Sequence, residues 1–183
     1  MPTTVGIIAA KKNSNRFKNK NIHELEGKPL FWHSVEPLLK SKNVNDVYVA
    51  TDSEFITNYC LERNVNVIKR TCNSNHDEAP LLSVLKFAYQ NIDVRYDNII
   101  TIMANCPFHT SQDVDKAIDM INTGKYNEIR SFNQHGDENG LIVFREHVIL
   151  NYYQISSYMG SITTLGEEIH FLEELEQLTD KKV

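Results

Sequence analysis

Apolar positions along this chain follow two rhythms that alternate. Short apolar runs recur at Val5–Ala10, Val47–Ala50, Asn66–Lys69, Asn98–Met103 and Leu141–Phe144. Each predicts a strand, because a brief run rich in β-branched residues suits a buried strand better than a helix. Between them the spacing changes to the helical one. Pro29–Leu39 places Leu30, Trp32, Val35, Leu38 and Leu39 on one stripe, and Asp77–Asn91 does the same with Leu82, Leu85, Ala88 and Tyr89. Glu54–Arg63, Ser111–Ile121 and Phe171–Leu178 complete the helical set, with Ser111 as the expected N-cap and Asp113 in the first turn to oppose the helix dipole.

Strands separated by helices predict an α/β fold with a mainly parallel central sheet and right-handed crossovers. No repeat or low-complexity linker interrupts the order, so residues 1–183 are expected to form one domain. The stretch Thr123–Gly140, rich in Asn, Gly, Asp and Gln, reads either as a long loop or as a weak strand plus loop.

Composition removes several function classes. The net charge of −5 argues against a general nucleic-acid binder, which carries a basic footprint. No apolar run approaches the length that crosses a bilayer, so no membrane partner is expected. Met1-Pro2-Thr3-Thr4 has neither the basic nor the apolar region of a secretion signal. Cys60, Cys72 and Cys106 form no CxxC pair and leave one thiol odd, which suits a reducing compartment. The expected location is the cytoplasm.

Against that acidic background, positive charge is concentrated directly after the first strand. Lys11–Asn21 carries five cations, four Asn and one Ser, with no aliphatic residue. Ligands of open α/β sheets bind outside the carboxyl ends of strands, and cations with amide donors at such a point suit a phosphate-rich ligand. The glycine fingerprint of dinucleotide sites and the Walker A loop are both missing, which disfavours an NAD-dependent enzyme. A solvated Lys/Asn loop is the plain alternative. The position after the first strand favours a long loop that returns Lys20 and Asn21 to its own start and wraps a triphosphate.

The ordered motifs resemble the acylneuraminate cytidylyltransferases, the CMP-sialic acid synthetase-like family. That family reads A-R-x-x-S-K-x-x-x-x-K-N after its first strand. The counterpart here runs from Ala10 and Lys11 through Asn13, Ser14, Asn15 and Arg16 to Lys20-Asn21. Leu25–Leu30 is similar to its L-x-G-K-P-L, and Val49-Ala50-Thr51-Asp52 to its V-S-T-D. Arg70 before Asp77-Glu78-Ala79 resembles its R…D-x-A-S-S element. Ile102–His109 stands where the family has L-Q-P-T-S-P-L-R, and Asn139-Gly140 resembles N-G-x-I-Y.

The resemblance implies a three-layer αβα Rossmann-like nucleotidyltransferase fold and a CTP-dependent transfer to an acidic sugar or related anion, with release of pyrophosphate. It implies that Ala10, Lys11, Asn13, Ser14, Asn15 and Arg16 cradle the triphosphate. Lys20 meets the α-phosphate, so Lys11 and Lys20 carry the chemistry. Asn21 and Arg70 contact the nucleoside. Asn105, His109 and Asn139 fall on the acceptor side. The family's C-terminal Asp-x-Asp metal pair becomes Glu168-Ile169-His170, implying Mg²⁺, or Mn²⁺ in view of the imidazole.

Several positions depart from the pattern. Lys11 keeps the charge of an Arg without its fork, Asn15 replaces a Lys, Met103 a Gln, Cys106 a Ser and His109 an Arg. The segment before Asn139 is shorter than the family's dimerisation extension, so a homodimer stays open. Two readings of Asp52 stand, a nucleotide or metal contact and a cap for the next helix. Glu168 and His170 stand as a metal pair, as a metal ligand with a substrate contact, or as a structural strand end. A catalytically weakened, nucleotide-binding relative is the alternative to an active enzyme.

Overall fold

The first apolar run forms the middle of the sheet because both of its faces are covered. The computed structural model describes residues 2–12, 18–70, 80–151 and 158–180. β1 (Thr4–Ala9) sends Val5 and Ile7 to one side and Ile8 to the other, all fully buried. β4 (Asp46–Thr51), β5 (Asn66–Lys69) and β6 (Asn98–Ile102) run parallel to it. Beyond β6 lie β8 (Glu138–Arg145), β7 (Glu128–Phe132) and β9 (Met159–Thr163), giving seven strands among the described residues in the order β5-β4-β1-β6-β8-β7-β9. Only β8 opposes its neighbours, pairing antiparallel with both β6 and β7. The sheet is mainly parallel, as expected.

Two apolar layers sandwich it. One face packs against α1 (Trp32–Lys40), α2 (Glu54–Leu61) and α4 (Ser111–Asn122), through side chains such as Val35, Ile56 and Ile118. The other packs against α3 (Leu81–Gln90) and α5 (Glu146–Asn151), through Leu85, Tyr89 and Ile149. This is the three-layer αβα arrangement. Gly6 lets α1 approach the sheet closely, since a Cβ there would stand 2.9 Å from Leu38 Cδ1. A third, smaller cluster joins Leu25, Leu30, Ile169 and Leu175. It fastens α6 (Leu172–Asp180) to the hairpin of β2 (Glu24–Leu25) and β3 (Lys28–Pro29).

Several boundaries differ from expectation. Helix α1 begins at Trp32 rather than Pro29, because Glu26 and Gly27, at φ 51° and 76°, turn the chain so that Glu24 pairs with Pro29. Helix α3 begins at Leu81, and residues 77–79 of its expected first turn lie outside the described residues. Thr110, not Ser111, caps α4. Its Oγ1 accepts from the Asp113 amide, while the Asp113 carboxylate accepts from the Thr110 amide at 2.9 Å. Within Thr123–Gly140, the strand-plus-loop reading matches β7 and the start of β8. Strand β9 and helix α5 escaped the sequence pattern. Among the described residues no helix is long and apolar enough to cross a membrane. Cys60 and Cys106 are buried free thiols, and burial pushes Cys60 up to about 12 and Cys106 higher still, so neither is a ready nucleophile. Cys72 lies outside the described residues.

Candidate active site

The parallel strands end on one side of the molecule, and the first loop starts there. The Ala10 amide extends the β1–β4 ladder by donating to the Ala50 carbonyl at 3.0 Å. Two residues on, the Lys12 amide donates to Asp52 Oδ1 at 2.6 Å. Ser53, not Asp52, caps α2, its hydroxyl accepting from the Ile56 amide. Asp52 therefore tethers the opening of the loop to the end of β4. Arg70 joins the same edge, since its amide donates to the Thr51 carbonyl at 2.9 Å. Ala10, Lys11, Asp52 and Arg70 thus gather at neighbouring strand ends. Asn13, Ser14, Asn15 and Arg16 lie outside the described residues.

The loop closes on itself. After Asn19, at a left-handed φ of 60° that Asn tolerates well, Lys20–Ile22 makes a 3-10 turn. Buried Asn21 points its amide back to donate to the Lys11 carbonyl at 2.9 Å. One residue away, Lys20 Nζ donates to the Ile169 carbonyl at 2.9 Å. The two ends of the loop and a segment 149 residues further on therefore meet.

That distant segment, 164–171, is held by the residues expected on the acceptor side. Asn139 is buried and donates through Nδ2 to Thr164 Oγ1 at 2.9 Å and to the Gly166 carbonyl at 2.8 Å. His109 Nε2 lies 2.8 Å from the Asn139 carbonyl. A carbonyl only accepts, so Nε2 carries the proton. Buried Nδ1 has no partner among the described residues, and burial lowers the pKa of the ring, so it stays neutral. Gly166 packs flat on that ring, and a Cβ there would reach 2.2 Å from Nε2. Asn105, also buried, donates through Nδ2 to the Ile169 carbonyl at 2.8 Å and to Glu168 Oε1 at 3.3 Å, and its carbonyl accepts from the Ile169 amide. The structure brings Asn105, His109 and Asn139 together as a buried polar strap. Each one is turned towards the protein by these bonds.

Glu168 and His170 share a side, as their alternation predicts, with Glu168 Oε2 3.6 Å from His170 Nε2 and both side chains partly exposed. Glu174, absent from the sequence reading, fixes the second of them. Its carboxylate accepts from the His170 and Phe171 amides at 2.6 and 3.1 Å, and the His170 amide bond is the first of the causes that hold it below the usual carboxylate range. Its signal was an acid in the first turn of a helix, where a carboxylate reaches back to free amides. Among the described residues no group of three His, Cys, Asp or Glu side chains comes together. A carboxylate with one imidazole does not make a protein cage. It does fit a divalent cation that takes its remaining ligands from phosphate oxygens and water.

Comparisons with known proteins bear on the family and the fold. A family model described as cytidylyltransferase matches residues 5–182. The N-acylneuraminate cytidylyltransferase of Streptococcus agalactiae serotype III is 26% identical over 137 residues, which is 74% of this chain and 33% of that protein. The CMP-N,N'-diacetyllegionaminic acid synthase of Legionella pneumophila is 26% identical over 126 residues, 66% of this chain and 54% of that one. The chain thus spans about a third to a half of these relatives. Among solved structures, a CMP:2-keto-3-deoxy-manno-octonic acid synthetase complexed with CTP superposes with a TM-score of 0.79 at 15% identity, covering 99% of this chain and 100% of that one.

Proposed function

The chain belongs to the cytidylyltransferase family, and from that premise we propose that it is a CTP-dependent enzyme that activates an acidic sugar or related anionic metabolite. An oxygen of the acceptor attacks the α-phosphorus of CTP, the bond from that phosphorus to the bridging oxygen breaks, and pyrophosphate leaves with the electron pair. Such a step asks the protein mainly to place the reactants and to offset charge.

The residues divide that work. Lys11, with Asn13, Ser14, Asn15 and Arg16, holds the triphosphate. Lys20 offsets charge on the α-phosphoryl group, where a fixed cation in a partly dry site acts strongly. Asn21 sets the loop by its bond to the Lys11 carbonyl and stands with Arg70 beside the nucleoside. Asp52 keeps the loop open at its start. Glu168 and His170 would hold Mg²⁺ or Mn²⁺, which supplies Lewis acidity at the phosphates. The observation that carries the reading is the convergence of Lys20 with Glu168 and His170 through the Ile169 carbonyl.

A second reading, a nucleotide-binding relative with weak or no turnover, draws on the two-residue metal pair and on Asn15 in place of a Lys. Thermal denaturation in the presence of each nucleoside triphosphate tests what both readings share. CTP with Mg²⁺ or Mn²⁺ is expected to raise the melting temperature by several degrees more than ATP, GTP or UTP do. No shift with any nucleotide, with either metal present, would overturn both.

A further inference from the structure

The Ile169 carbonyl accepts from two directions, from Lys20 Nζ at 2.9 Å and from Asn105 Nδ2 at 2.8 Å. The same Asn105 nitrogen lies 3.3 Å from Glu168 Oε1. The Asn105 carbonyl accepts from the Ile169 amide at 2.8 Å, so residue 169 is gripped on both its polar groups by residue 105. Asn105 is 8% exposed and Ile169 2% exposed, and the Ile169 side chain is sunk in the apolar cluster with Leu25, Leu30 and Leu175. Neither end of the contact has room to drift.

We infer that Asn105 is a positioning residue that couples the loop cation Lys20 to the carboxylate Glu168, rather than a group that grips the acceptor. This rests on the cytidylyl-transfer reading of Lys20 and Glu168 given above. One amide nitrogen fixes both the carbonyl on which the ammonium rests and the carboxylate beside it. The cation and the metal-holding group are then tied to one shared hydrogen-bond donor rather than held by separate partners. A donor is needed at this position, because both of its partners are acceptors. An amide supplies one without adding charge. An acid would place a second anion against Glu168 and against a carbonyl.

The inference makes opposite demands on two substitutions. Asn105→Ala removes the donor, leaving the Lys20 bond to Ile169 but releasing Glu168. The expected result is a kcat lower by about 10- to 100-fold, the usual cost of an outer-shell partner, with the KM for CTP changed by less than about threefold. A purely structural role would lower the melting temperature without that split. Asn105→Asp keeps the shape and reverses the polarity. The variant is expected to melt lower than wild type in EDTA and to recover most of that loss in millimolar Mn²⁺, as the cation separates the two facing carboxylates. Adding Glu168→Gln to Asn105→Asp should abolish the recovery.

A kcat of Asn105→Ala within about twofold of wild type would overturn the inference. So would an Asn105→Asp protein whose melting temperature ignores the metal. The two levels fail separately. If wild type releases no pyrophosphate from CTP, the cytidylyl-transfer reading falls, while the Mn²⁺ response of Asn105→Asp still decides whether residue 105 faces Glu168 as stated.

Discussion

At the scale of single residues, the site is built from side chains that satisfy backbone groups far away in sequence. His109 shows what this does to chemistry. One ring nitrogen is committed to the Asn139 carbonyl and the other is buried with no partner among the described residues. Protonation would place an unpaired N–H and a charge in the interior, so desolvation holds its pKa below the ordinary 6.5. The unfolded chain then binds the proton more readily than the folded one. Stability from this residue is complete above the unfolded value and is lost as pH falls from about 6.5 down through the lower folded value. Glu36, Glu174 and Asp97 are also shifted down, but from 4.5, 4.5 and 3.8, so they act at more acid pH. Urea unfolding is therefore expected to show a falling midpoint between pH 6.5 and 5. A His109→Gln variant should flatten that fall, and an equally steep fall in it would contradict the assignment.

At the scale of elements, the segment 164–171 is the part that turns a sheet edge into a site. Gly166 is its tightest point, because any side chain meets the buried His109 ring. Gly166→Ala forces either the ring or the strap to move. Overpacking of this kind costs about 1–3 kcal/mol, or roughly 2–10 °C in melting temperature for a chain of this size. Differential scanning calorimetry measures it, and because Gly166 is not among the positive-φ glycines the loss reports the steric clash.

The elements also show what the sequence disclosed. The strands β4, β1 and β6 were legible because they are mostly buried and carry nearly continuous apolar runs, and the edge strand β5 because Val67 and Ile68 stand between polar ends. Strand β7 was legible only as a weak strand because of its charges. Buried Glu128 pairs with Arg130, which also reaches the exposed Glu138 on the next strand. In β9, Gly160 replaces an apolar residue because Ile129 and Met120 already fill the space. The hydrogen bonds of Asn105 and Asn139 were not legible either. A residue's position relative to a motif says that it stands near a ligand, whereas its hydrogen bonds to residues 164–169 follow from chain return over more than 20 positions.

At the scale of the molecule, an acidic chain of net charge −5 collects cations at one end of a mainly parallel sheet. The strand ends place Ala10, Asp52 and Arg70 together, the 3-10 turn returns Lys20 and Asn21, and the segment that carries Glu168 and His170 meets Lys20 at the Ile169 carbonyl. Each piece alone is ordinary.

The most direct test of the account is pyrophosphate release from CTP, with a panel of acidic sugars as acceptors and Mg²⁺ or Mn²⁺ present. Wild type is compared with Lys20→Ala. The account predicts release that needs both CTP and an acidic acceptor and that falls by at least about 100-fold in Lys20→Ala, the scale expected for one lost group that stabilises transition-state charge. Lys20→Ala should melt within a few degrees of wild type, since the bond its ammonium makes to the Ile169 carbonyl is only part-buried. A Lys20→Ala protein that releases pyrophosphate at the wild-type rate would contradict it.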